Sequence, residues 1–211
     1  MRKSLKVVLS FFVFPFSLFV ATGCVSQKPT LVVHSDTNHR TFAQTFSQAV
    51  ASPNEDGTYH FVLVADDVRP TPNKHAKKSD PSPRIDPSES APLHQIVYVK
   101  VLWRPMDGTD HTVGSNAAVN WYVLSDTAAG SHDLLEYQGS AFVKVYPKDG
   151  VTKVTIADGT LRPRAVRGGL SDPIGPASIE GSFTAVNDPV RLREVLNSTR
   201  ARTAAAVSVA Q

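Results

Sequence analysis

Alternation of apolar and polar residues at every second position is the dominant pattern along the chain. In "QIVYVKVLW" (95–103), Val97, Val99, Val101 and Trp103 share one side, while Ile96, Tyr98, Lys100 and Leu102 take the other. "AVNWYVLSD" (118–126) sets Val119, Trp121 and Val123 against Asn120 and Tyr122, and "TYHFVLVADD" (58–67) sets Tyr59, Phe61 and Leu63 against His60, Val62 and Val64. Two further runs, "AFVKVYP" (141–147) and "TKVTIADG" (152–159), are joined by Lys148-Asp149-Gly150, a strong hairpin cue because Gly tolerates the positive φ of a tight turn. "ASIEGSFTAV" (177–186) gives a sixth strand, with Ile179, Gly181 and Phe183 on one face, and Thr30–His34 a seventh. The fold class expected is therefore mainly β: an antiparallel β-sandwich or partly closed barrel of about six to seven strands.

Two segments change period. "DPVRLREVLNSTRAR" (188–202) offers Asp188 as N-cap and Pro189 at the first helical position. Leu192, Val195, Leu196 and Thr199 then form a narrow apolar stripe, predicting a C-terminal helix laid on the sheet. "RTFAQTFSQAVAS" (40–52) places Phe42, Phe46, Ala49 and Val50 on a helical face, although its Thr and Ser content also permits a strand leading into "SPNEDG". The helix is the expectation carried forward.

Between these signals lies "ADDVRPTPNKHAKKSDPSPRIDPSESAP" (65–92), where six prolines remove ladder donors and no periodic apolar residues anchor the chain. The reading is a flexible insertion at about 66–93 between neighbouring strands of a single domain spanning 30–202, with 203–211 as a frayed, disordered tail.

The first 24 residues have a different layout. Arg2, Lys3 and Lys6 precede a nearly continuous apolar run from Val7 to Ala21, and small residues lead into Cys24, the only cysteine. A charged start, an apolar core of about 15 residues and a small-residue exit describe an export signal. It falls short of the roughly 20 residues a spanning helix needs, and Pro15 interrupts it. "LFVATGC" (18–24) resembles the lipobox of bacterial lipoprotein precursors, with Ala21 standing where that family most often has Leu. The resemblance covers about the first 24 residues and implies removal of 1–23, acylation of Cys24 by two or three chains, and a short tether over 24–29. The alternative is ordinary A-x-A-like cleavage, which leaves a secreted or periplasmic soluble protein. Two or more acyl chains hold a protein persistently on a bilayer. Val25-Ser26, with no acid beside the cysteine, favours the outer membrane under the family's enteric sorting rule.

Signal removal also alters the charge. The chain carries 22 Lys+Arg and 19 Asp+Glu, and residues 1–23 hold three of the bases and no acid, so the mature part is formally neutral. Such a balance offers no general attraction to nucleic acid or to anionic lipid. With one cysteine there is no intrachain disulfide, and hydrophobic packing alone must hold an exported domain.

Candidate chemistry is sparse. No phosphate-cradling or dinucleotide glycine motif is present, and "GLSDP" (169–173) lacks the final Gly and the preceding strand of a nucleophile elbow. His34, Asp36 and His39 in "HSDTNH" are the candidate metal ligands, since a strand puts the first two on one face and a bend adds the third. Arg162, Arg164 and Arg167 in "RPRAVRGG" are the candidate anion-binding group, suited to a phosphate, carboxylate or glycan. Trp103, Trp121, Tyr98 and Tyr122 are expected in the core. No cofactor is implied. The leading expectation is a lipid-anchored, non-catalytic binding or structural module of the bacterial cell envelope, with a protein or glycan partner. Its rival is an envelope hydrolase or metal-dependent enzyme built from loop His and Asp residues.

Overall fold

The computed structural model describes residues 28–68, 93–105, 114–126 and 132–208. It contains nine strands, β1 (Thr30–Ser35), β2 (Thr41–Thr45), β3 (Gln48–Pro53), β4 (Tyr59–Val68), β5 (Leu93–Val101), β6 (Ala117–Asp126), β7 (His132–Lys148), β8 (Val151–Arg167) and β9 (Ala177–Asn187), followed by helix α1 (Pro189–Ser208). The fold is mainly β, as the alternation predicts. All seven expected strands are present, and two more appear where a helix was expected.

The strands form one mixed sheet, ordered β2-β1-β9-β3-β4-β5-β6-β7-β8, with β8 returning to pair with β9. The sheet curls without forming a closed barrel. Every ladder is antiparallel except β3–β9, which is parallel and only two pairs long, Val50 with Val186 and Ala51 with Asn187. Strand β9 is thus the seam: β8 runs along one side of it, and β1 then β3 occupy the other.

Residues 40–52 fold as β2 and β3, and this corrects the expected N-terminal helix. The spacing of Phe42, Phe46, Ala49 and Val50 fits a helix, but short apolar runs are ambiguous in period and the available partners decide. Strand β2 covers the edge of β1, and β3 sits between β4 and β9. Phe46, between the two strands, is fully buried.

Alternation sorts the core as the sequence implies. The inner face carries Tyr59, Phe61, Leu63, Val97, Val99, Val101, Val119, Trp121, Ile179 and Phe183, all in one cluster. Trp103 departs from its expected core place: β5 ends at Val101, and Trp103 stands 41 % exposed beyond it. On the outer face, Val50, Val62, Ile96, Leu124 and Leu134 receive Leu192 and Ala206 of α1.

Both terminal signals of α1 work as read. The Asp188 carboxylate accepts the Arg191 N–H at 2.9 Å, Pro189 opens the helix, and the Asp188 N–H donates to the Ala51 carbonyl, fixing the helix to β3. The helix continues through residues 203–208, where a frayed tail was expected, because Ala206 is buried against the sheet.

The hairpin between β7 and β8 turns at Asp149 (φ 36°) and Gly150 (φ 79°), the left-handed pair that a two-residue turn demands. The proline-rich expectation at about 66–93 falls mainly on residues 69–92, outside the described residues. Its flanks, β4 and β5, are antiparallel neighbours.

Candidate functional site

Cys24 lies outside the described residues. The other two groups singled out from the sequence start from β1 and β8, the strands that flank β9 on either side. His34 is on β1 and points outward, with Nδ1 3.0 Å from Thr41 Oγ1 on β2 and Nε2 3.3 Å from Glu180 Oε1 on β9. Asp36 and His39 follow in the β1–β2 turn, where His39 adopts a positive φ of 55°. The three border one open hollow of about 420 Å³, together with Ser35, Arg40 and Thr41. Among the described residues, no group of three His, Cys, Asp or Glu side chains is arranged to hold a metal ion. Both nitrogens of His34 are already engaged by strand neighbours.

Arg162, Arg164 and Arg167 lie along β8. Arg162 pairs with Gln138 and Arg167 with Leu134, and both partners are outer-face positions of β7. Arg164 donates to Gln138 Oε1 at 2.8 Å and approaches Glu136 Oε1 at 3.8 Å. Of the three, Arg164 is therefore committed to side chains of the neighbouring strand.

A grouping not singled out from the sequence surrounds His94, at the start of β5. Asp66 Oδ1 on β4 lies 3.0 Å from its Nδ1, and Asp126 Oδ2 at the end of β6 lies 3.5 Å from its Nε2. This imidazole borders a hollow of about 270 Å³ between α1 and the sheet, beside Arg191, Glu194, Ser198 and Arg202. A base that activates a serine must keep one ring nitrogen free to take its proton. Carboxylates face both nitrogens of His94, which suits a clamp joining the ends of β4, β5 and β6 better than a base. Its three members are far apart in sequence and belong to three strands, so no local spacing reveals them.

The second grouping is interior. The Tyr137 hydroxyl on β7 donates to Asp172 Oδ1 at 2.5 Å, and the same oxygen accepts the N–H groups of Ile174 (3.0 Å) and Gly175 (2.8 Å). Burial first, and the Asp172 hydrogen bond second, push the Tyr137 phenol far above its ordinary range. The loop between β8 and β9 is thereby pinned across one end of the curl, with Leu170 and Ile174 packed on the inner core. "GLSDP" is thus a structural plug whose Asp172 gathers three donors.

On the outer face, His60 Nδ1 is 3.1 Å from the Tyr98 hydroxyl, and burial, then nearby Lys100, pull the His60 pKa below its usual value. Burial raises the phenols of Tyr98 and Tyr122. Trp121 Nε1 and Gln95 Oε1 are buried and have no hydrogen-bond partner among the described residues.

Compared with known proteins, the chain matches no family model, no curated protein and no solved structure. No helix among the described residues is long and apolar enough to cross a membrane.

Proposed function

We propose that the protein is a lipid-anchored, non-catalytic module of the bacterial cell envelope, attached through acylated Cys24 and presenting its curled sheet to a protein or glycan partner. The observation that carries this reading is the layout of residues 2–24: a basic start, an apolar run, and small residues before the only cysteine. The first strand begins at Thr30, so a tether over 24–29 joins the anchor directly to the sheet. In this reading the outer membrane is the site of attachment, and the curl around β9 is a partly closed barrel. The engaged nitrogens of His34 and His94 support a binding or structural role over hydrolysis.

Metabolic labelling with a fatty-acid probe tests the reading. The wild-type protein takes up label and Cys24→Ser does not; equal labelling of the two, or a mature protein whose mass equals that of its amino acids, refutes it.

A further inference from the structure

The tether leaves the sheet at a particular end. Thr30 pairs with Ser182 on β9, Ser182 with Thr155 on β8, and Thr155 with Lys144 on β7, so all four share one outward row. Three strand spacings separate its ends, about 14 Å. Because β1 runs antiparallel to β9, Pro29 and Lys28 continue from this row toward the β7–β8 hairpin tip. The end so defined holds the tip itself, the close of β3, β5 and β9, and the start of α1.

Exposed large apolar residues concentrate there. Leu102 and Trp103 follow β5, Tyr146 precedes the hairpin tip, Val186 is next to last in β9, and Val190 is second in α1; all are 41–61 % exposed. The sixth such residue among the described residues, Val166, is at the opposite end of β8. Trp103 is held outward by fixed backbone. The buried Asn116 side chain donates to the Trp103 carbonyl at 3.0 Å and to the Val143 carbonyl at 2.9 Å, and the Leu102 N–H donates to the Asn116 carbonyl.

Around these residues stand Lys28, Lys144, Lys148 and Lys153, none in an ion pair among the described residues. Glu55, Asp56 and Asp149 occupy turns at the same end, so the surface is amphipathic without a large excess of positive charge. A Trp and a Tyr beside aliphatic residues and lysines form the composition that settles at a bilayer interface, with rings at headgroup depth and ammonium groups on phosphates.

We infer that this end of the fold rests on the lipid surface, with Trp103, Leu102, Tyr146, Val186 and Val190 in the headgroup region and the lysines on lipid phosphates. The inference rests on the anchoring at Cys24, since six residues from Cys24 to Pro29 reach at most about 20 Å and keep this end beside the acyl chains. The bilayer contact orients the domain and turns the opposite end, with the Asp172-pinned loop, away from the membrane. Anchor and surface contact act together, because a weak contact becomes persistent once the tether raises its effective concentration.

The mature chain, residues 24–211, retains every strand and the helix, and its single thiol permits a test independent of acylation in cells. Coupled through Cys24 to a maleimide lipid in vesicles of phosphatidylethanolamine and phosphatidylglycerol doped with brominated lipid, the protein is expected to lose the Trp103 share of its tryptophan emission. Trp121, buried in the inner core, keeps its share. Trp103→Phe is expected to abolish the bromine effect, and Leu102→Ser with Val190→Ser to weaken it. Emission unchanged by bromine in the coupled wild type overturns the inference, even where the Cys24 label is found in cells. A bromine effect that persists in Trp103→Phe overturns it too.

Discussion

Asp172→Ala removes the acceptor that three donors share. The Tyr137 hydroxyl loses its acceptor in a fully buried position, and the N–H groups of Ile174 and Gly175 lose theirs in a loop that is partly open to water. Stranding one buried hydroxyl costs about 1–3 kcal/mol, and water recovers part of the two backbone bonds, so the expected loss is about 2–4 kcal/mol. Tyr137→Phe removes one donor from an acceptor that keeps two others and is expected to cost about 1 kcal/mol. A double-mutant cycle should give a coupling of about 1–2 kcal/mol. Urea denaturation reads these values as midpoint shifts at constant slope. The same pair sets an alkaline limit. Because folding raises the phenol's pKa, the unfolded chain ionises first, so stability is full below the ordinary tyrosine value of 10.0 and is lost as pH rises from there. Tyr137→Phe should flatten that alkaline decline. A loss below about 0.5 kcal/mol for Asp172→Ala, or a larger loss for Tyr137→Phe than for Asp172→Ala, refutes the pinned-loop argument.

Two further outcomes follow from the sheet. His60 has its pKa lowered in the fold, so its contribution is full above pH 6.5 and is lost as pH falls below it; His60→Gln should flatten the acid side of a Tm-versus-pH curve. Gly139→Ala places a Cβ 1.7 Å from the Thr160 carbonyl oxygen, beside the irregular register of β7 and β8, and is expected to cost about 3 kcal/mol, read as a lowered Tm.

The seven strands with clean alternation were legible because one face of each meets a continuous core. Asp188 and Pro189 were legible because capping is local chemistry. Strands β2 and β3 were hidden, since what makes 41–53 extended is β1 on one flank and β4 and β9 on the other, and those partners come from distant parts of the chain. Trp103 illustrates a boundary effect: alternation assigns it to the core side with Val97, Val99 and Val101, but the strand stops two residues earlier and leaves the ring 41 % exposed. The Asp66–His94–Asp126 clamp and the donors gathered by Asp172 depend on register between strands, which period-two patterning does not encode. His34, Asp36 and His39 were visible as a cluster, and the structure gathers them around one hollow while committing both His34 nitrogens to neighbouring strands.

Strand β9 carries a consequence for how the chain matures. It is the last strand made, yet it supplies the partner for the first: His34 and Glu180, 146 residues apart, meet across that ladder. Until residues 177–187 are in place, β1 has only β2 and β8 only β7 beside it, and the pairing that completes them is of the slow, non-local kind. A polypeptide threaded across a membrane from its amino end would stay open throughout its passage, and would lock only when its final segment arrived.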